Sequence, residues 1–428
     1  MVRALLAPET FNLGETTRAV EVALAMRALG HDVLVAGYSR RFSDVVTGAG
    51  LPLTLLDPEL SDADADLLLA ADQGRALRHP FTTDMVRERV AAETALLRDW
   101  RADVAVIGTT LTQFISARAA RVPLAYVKPH AMSSGHLSTL ESLPLTAGRG
   151  PAGRTVNRAA ASMARGVAGK VRWLPTSFRL VAAEYGVRLP ARTIDALDAD
   201  LNLLASLFPA LDGRPVGRSE IAVGPIYAGS ARVARADEAA ALPDPVRRLA
   251  ARARPAVYVG LGSSGNREIA LRVLRQVARL RVDVITTAGR FLDGGDRAGL
   301  PGNVAVYDHL PAARLAGLID ASVIHGGEGT VQTAISAGVP FAGIGLQMEQ
   351  RMNLDECVAY GNALRFTPAD LRRGAVTGMV DRLLRDPGMA HAAARLRDEA
   401  AALDGAGTAA RLIAELATAG WPPGRGRL

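Results

Sequence analysis

The chain has 428 residues, 49% of them hydrophobic and 22% charged, with a formal charge of +7 and a pI near 10.0. That length is too great for one ordinary core, and that hydrophobic content excludes a disordered or low-complexity protein. No apolar run approaches the roughly 18 residues that span a bilayer, the N-terminal stretch MVRALLAPETFN offers no signal-peptide cleavage site, and a lone cysteine, Cys357, excludes an internal disulfide.

These features lead us to expect a cytoplasmic protein of two domains without a transmembrane segment. The basic balance does not point to nucleic acid. Only Lys128 and Lys170 among the 50 cationic side chains are lysine, and the arginines are interleaved with 43 acids, without the aromatic platforms of RNA-binding modules. One local excess, Arg149 to Arg179 around Trp173, would suit an acidic acceptor or peripheral contact with a membrane surface, or simply a solvated helix.

Along the chain, short apolar runs alternate with helical patterns. Val2–Pro8 reads as a strand, Thr16–Leu29 as a helix stopped by Gly30, His31–Tyr38 and Leu51–Leu56 as strands, Phe81–Trp100 as helical, and Asp103–Gly108 and Pro123–Pro129 as buried strands. Ile221–Tyr227 leads into an Ala/Arg/Pro-rich stretch. A second series then begins with Ala256–Gly265, Val282–Gly289, Asn303–Asp308, Ala321–Gly327 and Pro340–Gly345. Repeated βαβ units predict parallel sheets, and the expected fold class is α/β, two Rossmann-like domains facing a central cleft. The expected boundaries are 1–227 for an acceptor-binding domain, 228–254 for a linker, 255–405 for a donor-binding domain, and 406–428 for a C-terminal helix or tail packing back on the first domain.

The stretch HGGEGTVQTAISAGVPFAGIGLQMEQRMN, His325 to Asn353, carries the chemistry. Ligands of open parallel sheets bind beyond the carboxyl ends of the strands. There, His325 and the side-chain-free Gly326, Gly327 and Gly329 would let a ligand approach backbone N–H groups, and Thr330 opens a helix whose positive end suits a diphosphate. Gln347, Glu349 and Gln350 follow the next strand and could bond hydroxyls. A tight strand-to-helix connection would use the same glycines, but the combined spacing favours a sugar nucleotide.

The same stretch resembles the donor-binding signature of inverting GT-B glycosyltransferases of the UDP-glycosyltransferase superfamily, particularly bacterial antibiotic glycosyltransferases. VYVGLGSSG and NVAVYDHLPAARLAGLIDASVIHGG are similar to further family segments. The resemblance implies that Ser263 and Ser264 touch phosphate, Leu310 meets the base, His325, Gly327, Gly329 and Thr330 hold the diphosphate, and Glu349 and Gln350 hold the sugar. It implies transfer to a small-molecule, natural-product acceptor without a cofactor, and a glycine-rich helix start in place of a metal ion, since no Asp-x-Asp pair sits at a predicted strand end.

The family usually places a histidine base after the first strand and an orienting aspartate after the fourth. Both are absent here. Glu15 follows Gly14 where the histidine is expected, and Gly108 or Thr109 stands where the aspartate would be. Three readings follow: Glu15 is the base, the acceptor is acidic enough to need little help, or no transfer occurs and the protein is a non-catalytic sugar-nucleotide binder. A nucleotide-sugar epimerase of the same two-domain fold is a further alternative. Glu9, His79, Lys128 and His130 are the remaining acceptor-side candidates, although each histidine could equally be a surface or capping residue. A homodimer would need an exposed apolar face on either domain.

Overall fold

The computed structural model describes residues 1–72, 81–146, 150–168, 170–172, 174–213, 216, 219–227, 242–251, 253–262, 264–308, 310 and 312–419. They form two compact units, each built on one parallel sheet. The first sheet contains β1 (Arg3–Ala7), β2 (Asp32–Gly37), β3 (Leu53–Leu55), β4 (Val104–Ile107), β5 (Leu124–Lys128), β6 (Leu201–Leu204) and β7 (Glu220–Ala222), in spatial order 3-2-1-4-5-6-7. The second contains β8 (Ala256–Gly260), β9 (Asp283–Thr286), β10 (Val304–Val306), β11 (Ala321–Ile324), β12 (Phe341–Ile344) and β13 (Ala363–Phe366), in order 10-9-8-11-12-13. The helices that matter here are α1 (Leu13–Ala28), α2 (Thr83–Asp99), α3 (Gly150–Ala168), α4 (Glu328–Ala337), α5 (Met348–Tyr360) and α6 (Gly405–Ala419).

Both sheets reverse their winding once, at β1/β4 in the first and β8/β11 in the second. Loops leaving the two strands on either side of such a point diverge and open a crevice at the carboxyl edge. The register levels those loops: Ala7 pairs with Ile107, and Ile324 with Gly260. Every residue of β4, β8 and β11 is buried, because helices cover both faces of the sheet, and such strands read as near-continuous apolar runs, broken here only by Ser322 of β11.

Helix α1 begins earlier than its apolar periodicity suggests. The Asn12 side chain caps it by accepting from Gly14 N and Glu15 N, so Glu15 lies in the first helical turn, within reach of the β4 end. Two elements lacked a clear sequence signal: β6, with a polar Asn202 inside LNLL, and β13, with Arg365 inside ALRF.

The units are not contiguous in sequence. The described residues of 1–140, 162–235 and 403–428 make up the first, and those of 141–161 and 236–402 the second. Glu141–Ala161, expected in the first domain, lies with the second because Arg351 donates to Pro144 O at 3.4 Å and Arg365 donates to Thr146 O at 3.1 Å. Of the expected linker, 228–241 fall outside the described residues, whereas Leu242, Val246 and Leu249 are buried in the second unit's core with Ala256 and Ile285. Within the basic stretch, Val156, Met163 and Val167 are exposed on α3, and Arg149 and Trp173 lie outside the described residues.

Helix α6 completes the core of the first unit. Ala409, Ala410 and Ile413 are fully buried against Val20, Ala23 and the β1/β4 strands. Ile413→Ala should therefore cost about 2–4 kcal/mol. Hydrogen exchange is expected to accelerate in β1 and β2 but not in β11 and β12; acceleration confined to the second unit would contradict the packing.

Candidate functional site

In the second unit the crevice is built from the β8 and β11 loops. β11 delivers His325 level with Leu261, and the ring is buried, with Nδ1 3.2 Å from Thr330 Oγ1 and a further hydrogen bond to the Gly260 backbone. Burial pushes the imidazole down to about 4, so at neutral pH it is uncharged, one ring nitrogen donating and the other accepting. Its neighbours must be glycine. A Cβ on Gly262 would lie 2.2 Å from the ring Cε1, and one on Gly327 2.4 Å from Nε2. Gly326 takes a positive φ of 86°, and a Cβ there would meet Leu354 Cδ1 at 2.7 Å.

Gly327 then caps α4 with no side-chain acceptor, and nothing lies within 4 Å of where a Cβ on Gly329 would sit. The positive end of α4 is thus approached by bare backbone and open on one side, which is the chemistry an anion requires. The turn is held from behind by Asn353 of α5, whose Nδ2 donates to Gly326 O at 3.2 Å and to Glu349 Oε1 at 3.3 Å. Asn353 was not among the expected site residues, although its i,i+4 spacing from Glu349 places both on one helix face.

Glu349 is half-buried in the first turn of α5. Gln350 does a different job from the sugar contact expected of it. Its Oε1 accepts from Leu346 N and Gln347 N, and its Nε2 donates to Ser264 Oγ at 2.9 Å and Gln347 Oε1 at 2.6 Å. Both lone pairs and both protons are spent, so Gln350 locks the β8 loop to the start of α5. Ser264 accepts that bond, and Ser263 lies outside the described residues. Leu310 is buried in a core cluster with Tyr258, Ile285 and Leu315, so a base there would meet backbone rather than this side chain.

The first unit's crevice holds carboxylates. Glu15 is 8% exposed, and its Oε2 accepts from Thr109 N at 3.0 Å and Glu9 N at 3.3 Å, while Oε1 accepts from the Thr109 hydroxyl. Burial raises its carboxyl above the usual range, an effect the Thr109 hydroxyl opposes and the Glu9 charge reinforces. Glu9 is buried and paired with Arg89 of α2 at 3.1 Å, and the Arg89 guanidinium stacks 3.6 Å over the Tyr38 ring. Deeper still, Glu93 accepts from Tyr38 OH, Thr112 and Ser116, and burial pushes it up to about 7.

The other acceptor-side candidates fare differently. Lys128 is 1% exposed, with its ammonium between Glu220 at 3.1 Å and Asp198 at 3.3 Å, so its charge is used inside the first unit and not offered to an acceptor. His130 is buried against His136, ring centroids 4.1 Å apart, and its backbone N–H donates to Ser206 Oγ. His79 lies outside the described residues.

His325 also generates a pH prediction. A folded value of about 4 against 6.5 when unfolded means that the unfolded chain binds the extra proton between these limits. The contribution, on the order of 3 kcal/mol, is complete above pH ~6.5 and is lost as pH falls through ~4. Urea midpoints between pH 7.5 and 4 should drop more steeply in the wild type than in His325→Asn; parallel curves would contradict a buried neutral ring.

Comparison with known proteins agrees with this architecture. Residues 271–414 match the family described as erythromycin biosynthesis protein CIII-like, C-terminal domain. A PGL/p-HBAD biosynthesis rhamnosyltransferase of Mycobacterium bovis (strain BCG / Pasteur 1173P2) is 36% identical over 146 residues, which are 34% of this chain and 32% of that protein, so the match spans about a third of the relative's length. Over almost the full chain, the spinosyn forosaminyltransferase SpnP superposes with a TM-score of 0.68 at 22% identity, covering 97% of this chain and 99% of that one. The glycosyltransferase VinC, solved in complex with dTDP, superposes with a TM-score of 0.70 at 20% identity, covering 98% and 100%. Among the described residues no helix is long and apolar enough to cross a membrane. The resemblance read from His325–Asn353 is borne out at the level of the fold: the chain has the GT-B fold, and its residues 271–414 match the erythromycin biosynthesis protein CIII-like C-terminal domain.

Proposed function

We propose that the protein is an inverting, metal-independent glycosyltransferase that moves a sugar from a nucleoside-diphosphate donor to a small natural-product acceptor. One observation carries the reading: the α4 N-terminus, uncapped by any side chain, is reached through the side-chain-free Gly326–Gly327 turn over a neutral His325. The comparisons support it, since the matched family model is named for antibiotic biosynthesis and the superposed structures are sugar transferases.

In the proposed reaction the acceptor oxygen attacks the anomeric carbon as the bond to the diphosphate breaks, which inverts the configuration. Negative charge would grow on the leaving diphosphate at the α4 amides, which are fixed before the donor arrives, so stabilisation would need no reorganisation. Glu349 would orient the sugar hydroxyls, and Glu15 would take the acceptor proton, its carboxyl raised by burial toward the range useful to a general base. The amides and helix dipole would fill the role of a divalent cation. No cofactor beyond the nucleotide sugar is assigned.

Incubation with a panel of dTDP- and UDP-sugars should release nucleotide only when an acceptor is present, at a rate that EDTA leaves within about twofold. His325→Ala is expected to lower turnover roughly a hundredfold. Release without acceptor, a changed sugar on an intact nucleotide, or unaltered turnover in the variant would each overturn the reading.

A further inference from the structure

Thr109 supplies two of the three donors that fix the Glu15 carboxylate, one to each oxygen. It reaches Glu15 because the β1 and β4 loops leave the sheet level with one another at the point where the winding reverses. Gly108 makes the approach possible, since a Cβ there would sit 2.5 Å from Glu15 Oε2. Ala19, Val22, Val106, Ile107 and Val127 leave a space of only about 10 Å³ beside Glu15, room for a single water at most.

The charged groups around Glu15 are few. Glu9 faces it from the β1 loop and Arg18 from the next turn of α1. Arg89 of α2 is bonded to Glu9, and Glu93 belongs to the Tyr38, Thr112 and Ser116 cluster beyond it. The neighbours from β4 and β5 are apolar.

We infer that Thr109 is a positioning residue for Glu15: its hydroxyl and amide hold the carboxylate in one orientation and support its ionised form. The inference rests on Glu15 acting as the base of the proposed transfer. A buried carboxyl without donors would stay protonated and could accept nothing, whereas two backbone donors on Oε2 and the Thr109 hydroxyl on Oε1 stabilise the anion and leave a lone pair on Oε1 for the acceptor proton. A hydroxyl in the loop after β4 thereby does for a carboxylate what a carboxylate does for an imidazole. No proton leaves Thr109; the acceptor proton moves to Glu15 as the new glycosidic bond forms.

The test titrates the carboxyl C=O infrared band assigned to Glu15 by its loss in Glu15→Gln, using the full-length protein without donor or acceptor. Thr109→Val removes the hydroxyl but keeps the amide and the shape, so the band should persist to higher pH than in the wild type, and Thr109→Ser should restore the original curve. Thr109→Ala serves in place of the valine variant if that one does not fold. With the donor and acceptor that support transfer, kcat/KM at pH 6 should fall roughly tenfold in Thr109→Val, its acid limb displaced upward. Coincident titrations of wild type and Thr109→Val would overturn the positioning role. Wild-type turnover in Glu15→Gln would instead overturn the base assignment on which it rests, a separate failure.

Discussion

Everything chemical in this molecule depends on bare backbone being left where a parallel sheet changes its direction of winding. At β8/β11 the crevice floor is a neutral imidazole hemmed in by positions where a single added carbon would collide with it. At β1/β4 the floor is a carboxylate that occupies the space a side chain on Gly108 would have taken. In both units the sheet supplies rigidity and the missing side chains supply access. Burial then sets the charge state of each group: it holds the histidine uncharged and raises the glutamate's carboxyl above the range of a solvated one.

The supporting residues show how these states are maintained. Gln350 and Asn353 touch only protein, yet they tie the β8 loop, the Gly326 turn and the start of α5 into one hydrogen-bonded frame. Such groups fix the geometry of the turn that leads into α4. The Glu9–Arg89 pair does comparable work in the first unit: it fixes a second carboxylate close to Glu15, and Glu9 lends its backbone N–H to the same oxygen as the Thr109 N–H. Buried pairs of this kind contribute little net stability, because the cost of desolvating both charges offsets their attraction.

Much of the fold was legible in the sequence because strands buried on both faces write unbroken apolar runs, as VAVI of β4 and AVYV of β8 do. LNLL and ALRF escaped because each is four residues long with a polar member, which periodicity cannot separate from a loop. The glycine-rich turn was legible for a similar reason, since its spacing is local. What spacing cannot convey is partnership across distance. The rarity of lysine drew attention to Lys128, but its carboxylate partners at Asp198 and Glu220 come from elements far along the chain. Gln350 was placed on the right rim, yet the direction of its amide depends on Ser264, 86 residues earlier. The contact between Glu15 and Thr109 spans 94 residues and becomes visible only when β1 and β4 are paired.

The route of the chain has a consequence for biosynthesis. Helix α6 seals the same apolar surface as α1, but it is made after the whole second unit. On the ribosome the face of α1 bearing Val20 and Ala23 must wait for its cover until the final segment emerges, while the second unit's described core, spanning Leu242 to Met389, has already been translated. Domains fold as units during synthesis, and an uncovered apolar helix is a site for premature association. The order of maturation is therefore inverted relative to the order of translation: the half begun first is finished last.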